Sequence, residues 1–204
     1  MNREEGLLIV LSGPSGVGKG TVCKQIRCRQ KLQHLKYSVS ATTRAPREGE
    51  ANGVDYFFKQ KEEFEDMINN GELLEWAKYV DNYYGTPYSF VQDQLKAGYD
   101  VILEIEVQGA LQVRKRVGKE GIFIFLVPPN VEELKRRILE RASETDESMN
   151  RRLKAMEQEM KLIQHYDYCV VNDDIQLTCE LVESIVNAEH CKVERNKIKY
   201  EQWL

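Results

Sequence analysis

Leu7-Leu-Ile-Val-Leu11 runs without a polar break into Ser12-Gly13-Pro14-Ser15-Gly16-Val17-Gly18-Lys19-Gly20-Thr21. A continuous apolar run from Gly6 to Ser12 that ends in glycines reads as a buried parallel strand. The residues from Lys19 to Lys31 read as a helix, with Val22, Cys23 and Ile26 on its apolar side. Strand, glycine-rich turn and helix with a lysine at its start make the context of a phosphate loop, G-x-x-x-x-G-K-[ST]. Glycines let successive N–H groups turn inward as an anion nest, the helix N-terminus adds partial positive charge, and Lys19 supplies a point charge. The chain departs from the pattern at Gly20, where a hydroxyl is expected; the hydroxyl comes one residue later, at Thr21. Direct metal ligation by a loop hydroxyl is therefore not expected, and a metal would be held mainly by phosphates and water.

Working outward, two further runs resemble the first: Val101-Ile-Leu-Glu-Ile105 and Ile122-Phe-Ile-Phe-Leu-Val127, with a shorter one at Cys169-Val-Val171. Helical patterns lie between and after them, at about Pro87–Ala97, Gln108–Val117, Val131–Glu140 and Ile175–Ala188. Buried strands alternating with helices imply an α/β fold, a parallel sheet with helices on both faces. Two stretches break the alternation. From Tyr37 to Tyr84 the chain reads as a small mixed insert, with a strand-like Val54-Asp-Tyr-Phe-Phe58 and a helix at Lys61–Asn69. From Val131 to Gln164 it is highly charged and helical, with a polar break at Ala142-Ser-Glu-Thr145. The expected organisation is one domain, with a core of residues 1–36, 87–130 and 165–204, an insert of 37–86 and a lid of 131–164. Insert and lid are the parts expected to move.

At 204 residues the chain is long enough to bury a core without disulfides or metal. Its formal net charge of −4 argues against general binding to nucleic acid or anionic membranes. The five scattered cysteines form no Cys-x-x-Cys pair, so reduced thiols in the cytoplasm are expected. No targeting segment and no apolar run of about 20 residues is visible.

A phosphate loop leaves several nucleotide enzymes open. No Asn-Lys-x-Asp run suits a GTPase base site; Asn172-Asp-Asp174 lacks the lysine. The second core run ends Glu104-Ile105-Glu106, which suits a pair of carboxylates beside phosphates and Mg2+. In Ser40-Ala-Thr-Thr-Arg44-Ala-Pro-Arg47-Glu48-Gly49-Glu50, Pro46 disfavours helix, and arginines in such a segment suit bidentate phosphate recognition. Tyr56, Glu75, Tyr84 and Thr86 add phenols, a carboxylate and a hydroxyl.

Together these motifs resemble the guanylate kinase family. Gly13–Lys19, Ser40–Arg47, Gly53-Val-Asp-Tyr56, Glu75-Trp76-Ala77, Tyr83-Tyr84-Gly85 and Asn172–Asp174 fall in the family's order, over roughly Leu7 to Ala188. The resemblance implies a P-loop nucleoside monophosphate kinase with a GMP-binding insert and a helical lid, transferring the γ-phosphoryl group of ATP to GMP and to dGMP with Mg2+. It implies that Arg44, Arg47, Tyr56 and Tyr84 hold the GMP phosphate, with Glu50 a further GMP-binding residue in the same stretch. It makes Ser40, Glu75 and Thr86 the guanine readers, and puts Glu104 and Glu106 near GMP and metal. It assigns Gly13, Pro14, Ser15, Gly16, Val17, Gly18, Lys19, Gly20, Thr21 and Asn172 to ATP. Lys19, Arg44 and the lid residues Arg137, Arg141 and Arg152 are the expected catalytic cations; no nucleic acid or membrane partner is implied. The chemistry of Glu75 stands on its own: one carboxylate accepts from guanine N1 and N2, whereas adenine presents an acceptor at N1. The hydroxyls of Ser40 and Thr86 could donate to O6.

Two other readings compete with this one. Guanylate-kinase-like scaffold domains bind phosphorylated partners without catalysis, but their phosphate loop is degraded, whereas Lys19 is retained here. A kinase for AMP, UMP or dTMP is disfavoured by the Ser40, Glu75 and Thr86 set.

Overall fold

The structure, a computed structural model, describes residues 5–79, 81–140 (backbone alone for 138–140) and 154–196. The opening apolar run forms β1 (Leu8–Ser12), buried along its whole length. It lies at the centre of a five-stranded parallel sheet with β2 (Leu35–Tyr37), β7 (Asp100–Glu104), β8 (Gly121–Val127) and β9 (Tyr168–Val171), in the order β2-β7-β1-β8-β9. Leu8 pairs with Val101 on one side and Gly121 on the other. Alternation along β1 sends its side chains to two separate cores. Ile9 and Leu11 pack with α1 (Lys19–Arg29) and α7 (Ile175–His190), while Leu8 and Val10 pack with α3 (Tyr88–Lys96) and α4 (Val107–Val117). Each such fully buried aliphatic side chain contributes roughly 1.5–3 kcal/mol. This is the α/β architecture that the repeated apolar runs imply.

The chain leaves β1 through α1 on one face and leaves β7 through α4 on the other. The crevice between the carboxyl ends of these two strands is where open parallel sheets bind ligands.

A second sheet, β4-β3-β6-β5, is built from β3 (Ala41–Thr42), β4 (Phe57–Phe58), β5 (Leu73–Tyr79) and β6 (Asn82–Pro87). With α2 (Lys61–Asn69) it encloses a small core of Ala41, Phe64 and Leu73, where Phe64 stacks on Tyr83 at 5.4 Å. The strand expected over Val54–Phe58 is confined to its last two residues. Asn52 Oδ1 accepts the Phe58 N–H and Asp55 accepts the Ala51 N–H, which holds the preceding residues in a loop. The first helix also stops two residues early, at Arg29, where Gln30 takes a left-handed conformation with φ 52°.

After β8 come α5 (Val131–Glu140) and a helix α6 at residues 154–160, which packs through Met156 and Met160 on Leu134. The polar break at 142–145 lies outside the described residues. Among the described residues no helix is long and apolar enough to cross a membrane.

Candidate active site

Gly18 is the N-cap of α1, in a left-handed conformation with φ 102°. No side chain caps the first turn and no acidic residue lies in it. The orphan N–H groups of that turn are therefore left to a ligand, and the helix dipole favours an anion there. Close approach also demands glycine at 18: a Cβ would lie 2.7 Å from Asn172 Nδ2. Asn172, only 6% exposed, donates from Nδ2 to the Val17 carbonyl at 2.7 Å and accepts the Thr178 hydroxyl at 3.1 Å. Its side chain, expected near adenine, is a brace under the phosphate loop. Arg137 joins the same corner, donating to the carbonyls of Asn172 at 3.1 Å and Val17 at 3.3 Å, and to Glu133 at 2.7 Å. Hydrogen bonds from Arg136 and then Arg137 hold the Glu133 carboxyl down at about 2. A cavity of about 290 Å³ borders the loop, lined by Gly16, Gly18, Thr21, Arg137, Asn172, Asp173 and Ile175. Arg141 and Arg152 lie outside the described residues.

Lys19 is 8% exposed, and its Nζ donates to the Gly13 carbonyl at 2.8 Å and to Glu106 Oε2 at 3.2 Å. Glu106 has left the strand and is the N-cap of α4, so the two carboxylates of Glu104-Ile105-Glu106 stand on different elements; Glu106 contacts Lys19, and Glu104, at the end of β7, feels it as a nearby charge. Desolvation against α1 raises the Glu104 carboxyl above its usual range, opposed by the Lys19 charge and a hydrogen bond from the Cys23 thiol, and reinforced by Glu106. A Cβ at residue 20 would come 3.2 Å from Glu104 Oε1. The carboxylate of Glu104 therefore lies beside the position where the usual phosphate loop carries its hydroxyl. Glu159 of α6, a residue the sequence reading missed, faces the loop as well. Desolvation raises its carboxyl, Glu106 adds to the rise, and Lys19 and the Ser15 N–H oppose it. It stands in a charged helical run where nothing distinguishes it from its neighbours.

In the second sheet, Arg44 pairs with Glu50 at 2.8 Å, and the Arg47 N–H donates to the other Glu50 oxygen at 2.7 Å. These contacts, Arg44 first, hold the Glu50 carboxyl below its usual range. The Arg44 guanidinium lies 5.3 Å from the Tyr56 ring centre, Tyr56 is 6.3 Å from Tyr84, and the Tyr84 hydroxyl contacts Arg44. Arg44, Glu50, Tyr56 and Tyr84 are thus one cluster, and the Arg47 side chain is exposed beside it. Glu50, expected among the GMP-binding residues, is in this cluster the counter-ion that orients Arg44.

Glu75 and Thr86 face each other across β5 and β6. Glu75 is 7% exposed and Thr86 fully buried, and the Thr86 hydroxyl donates to Glu75 Oε1 at 2.7 Å. That proton is engaged, so Thr86 offers lone pairs to a ligand rather than the donor expected for a guanine O6. Burial raises the Glu75 carboxyl above its usual range, and the Thr86 bonds oppose the rise. Ser40 is half-buried just ahead of β3, its carbonyl accepting the Phe57 N–H at 2.8 Å. Gln112 of α4 was also missed; it clamps β5, accepting the Trp76 N–H at 3.1 Å and donating to its carbonyl at 3.0 Å.

A family model described as guanylate kinase matches residues 5–189 of the chain. The guanylate kinase of Halalkalibacterium halodurans is 55% identical over 202 residues, covering 99% of this chain and 98% of that protein. The guanylate kinase of Bacillus subtilis is likewise 55% identical, with the same coverage. The crystal structure of guanylate kinase from Anaplasma phagocytophilum superposes with a TM-score of 0.72 at 35% identity, covering 96% of this chain and 92% of that one.

Proposed function

The chain belongs to the guanylate kinase family, an enzyme family that carries the γ-phosphoryl group of ATP to GMP to give ADP and GDP, and on that premise we propose how its residues divide the work. The loop Gly13–Thr21 takes the ATP phosphates, and Lys19 swings from Gly13 and Glu106 to the outer phosphates. Arg44, with Arg47, Tyr56 and Tyr84, holds the GMP phosphate, and Glu50 keeps Arg44 in place. Glu75 reads guanine N1 and N2, with Ser40 and Thr86 beside it. Transfer is in line between phosphate oxygens, and the protein supplies position and positive charge rather than a covalent nucleophile. Arg137, Arg141 and Arg152 belong to a lid, residues 131–164, which closes with the insert, residues 37–86, over the core of 1–36, 87–130 and 165–204. Closure excludes water, which would otherwise accept the phosphoryl group.

A divalent cation such as Mg2+ suits the corner beside Lys19. Glu104 and Glu106 offer hard oxygen donors there, and among the described residues no group of three His, Cys, Asp or Glu forms a dedicated cage. Mg2+ ordinarily keeps waters and phosphate oxygens and takes only one or two carboxylates. When bound it neutralises charge on the phosphates. The cytoplasm is the proposed setting, in keeping with five free cysteines, of which Cys23 and Cys179 are buried.

The observation that carries the acceptor assignment is the buried Glu75 carboxylate, oriented by Thr86 and matched to a two-donor edge. The readers address base and phosphate, with none assigned to the ribose 2′-hydroxyl, so dGMP is proposed as an acceptor as well. A coupled ADP-release assay with ATP and GMP, dGMP, AMP, UMP or dTMP tests this. Turnover is expected with the two guanine nucleotides alone; comparable rates with AMP would overturn the assignment. Arg44→Ala is expected to raise KM for every accepted monophosphate by about tenfold to a hundredfold, the scale of a charged hydrogen bond. A loss confined to one base would move Arg44 out of the phosphate site.

A further inference from the structure

We propose that Gly109, in the first turns of α4, is a specificity-determining positioning residue, because the space left by its missing side chain seats the Glu75 carboxylate. A Cβ at 109 would lie 2.8 Å from Glu75 Oε2, 3.4 Å from Cδ and 3.5 Å from Cγ. The backbone does not call for glycine. Gly109 lies inside a regular helix and is not among the glycines with positive φ. Glycine inside a helix destabilises it relative to alanine. Helix propensity therefore opposes the residue found, and the close approach of Glu75 accounts for it.

The surroundings leave the carboxylate little room to yield. Its other oxygen, Oε1, is held by the Thr86 hydroxyl at 2.7 Å. The helix cannot easily back away, because Gln112, three residues on and on the same face, grips both backbone groups of Trp76. Gly109 and Gln112 thus set the distance between α4 and the strand that carries Glu75. The same helix begins at Glu106, which contacts Lys19, so α4 links the base-reading carboxylate to the phosphate loop. A methyl group at 109 would push Oε2 aside by several tenths of an ångström or rotate the carboxylate out of plane. Two-donor recognition needs both oxygens aligned, so such a shift weakens reading of guanine and leaves phosphate contacts alone.

The inference rests on the reading of Glu75 as the guanine reader, and the test separates the two. Gly109→Ala is compared with Glu75→Gln, Glu75→Ala and the double variant Gly109→Ala/Glu75→Ala. Thermal midpoint, KM for GMP, KM for ATP and the ratio of kcat/KM for GMP over AMP are measured. Gly109→Ala is expected to raise KM for GMP by about tenfold to a hundredfold, the cost of misplacing a contact by up to an ångström. KM for ATP should stay unchanged and the GMP/AMP ratio should fall. In the Glu75→Ala background, where the clash is gone, Gly109→Ala should raise the thermal midpoint and leave kinetics as they are. If Glu75→Gln loses discrimination but Gly109→Ala keeps wild-type KM and ratio, the seat is refuted and the reader stands. If Glu75→Gln keeps discrimination, both fall. If Gly109→Ala proves too unstable to assay, the double variant decides. A destabilisation that persists without the Glu75 carboxylate overturns the proposal.

Discussion

Glu75→Gln is expected to remove most of the preference for GMP over AMP, which in the wild type should reach roughly 10⁴-fold or more in kcat/KM. That is the scale of sites whose buried polar groups pair with the correct substrate and are stranded by the wrong one. The structure says which way the amide will face. Thr86 donates its proton to Glu75 Oε1, so the amide oxygen of the variant stays there and the NH2 takes the place of Oε2. One of the two guanine donors, N1–H or N2–H, would then meet a donor where Oε2 had accepted, and the loss falls on GMP. The same change is expected to stabilise the free protein at neutral pH. The folded-state pKa of Glu75 is raised by desolvation, so its favourable contribution is complete below the ordinary carboxyl range and is lost as pH rises through the raised value. The thermal midpoint of Glu75→Gln should therefore exceed that of wild type near pH 7, and the gap should narrow towards pH 4.5. GMP binding by wild type runs the other way, weakening as pH falls and Glu75 takes up a proton. Retained GMP preference in the variant would shift selectivity to Ser40 and Thr86.

Lys19→Ala should lower kcat by on the order of a hundredfold or more, as expected when a fixed charge is removed from a transition state that gathers negative charge. The fold should survive. Lys19 has two partners, the Gly13 carbonyl and Glu106, and the Glu106 side chain is 64% exposed and can be solvated. What the fold does lose is the cation that Glu104 and Glu106 share, so their mutual repulsion near the loop is left uncompensated. Steady-state kinetics beside thermal unfolding separate the effects. Near-normal turnover in a folded variant would take the phosphate loop out of the mechanism.

Much of the fold was legible because it rests on local chemistry and periodicity. The run from Leu7 to Lys19 specified a buried strand, an anion-binding turn and a helix start. The apolar runs near 101, 122 and 169 specified parallel neighbours of the kind observed. β2 escaped notice because Leu35–Tyr37 is three half-buried residues without a period. The pair of β5 and β6 was hidden among tyrosines and glutamates whose alternation makes sense only against α2 and α4.

The candidate site divides in the same way. Lys19, Arg44, Glu75 and Thr86 could be singled out because each residue type carries a chemistry. Their working partners could not, because those contacts join residues far apart in the chain. Asn172 meets Val17 across the loop, Glu159 meets Ser15 from a late helix, and Gly109 yields space to Glu75 from another element. By itself the sequence determined the phosphate loop, the parallel sheet and the types of charge and hydroxyl available for recognition, since these follow from residue chemistry at short spacing. Only the tertiary structure decided where each charge is aimed, that the Thr86 proton goes to Glu75, and that a helix glycine sets the place of a carboxylate, because direction and clearance arise only when distant elements pack.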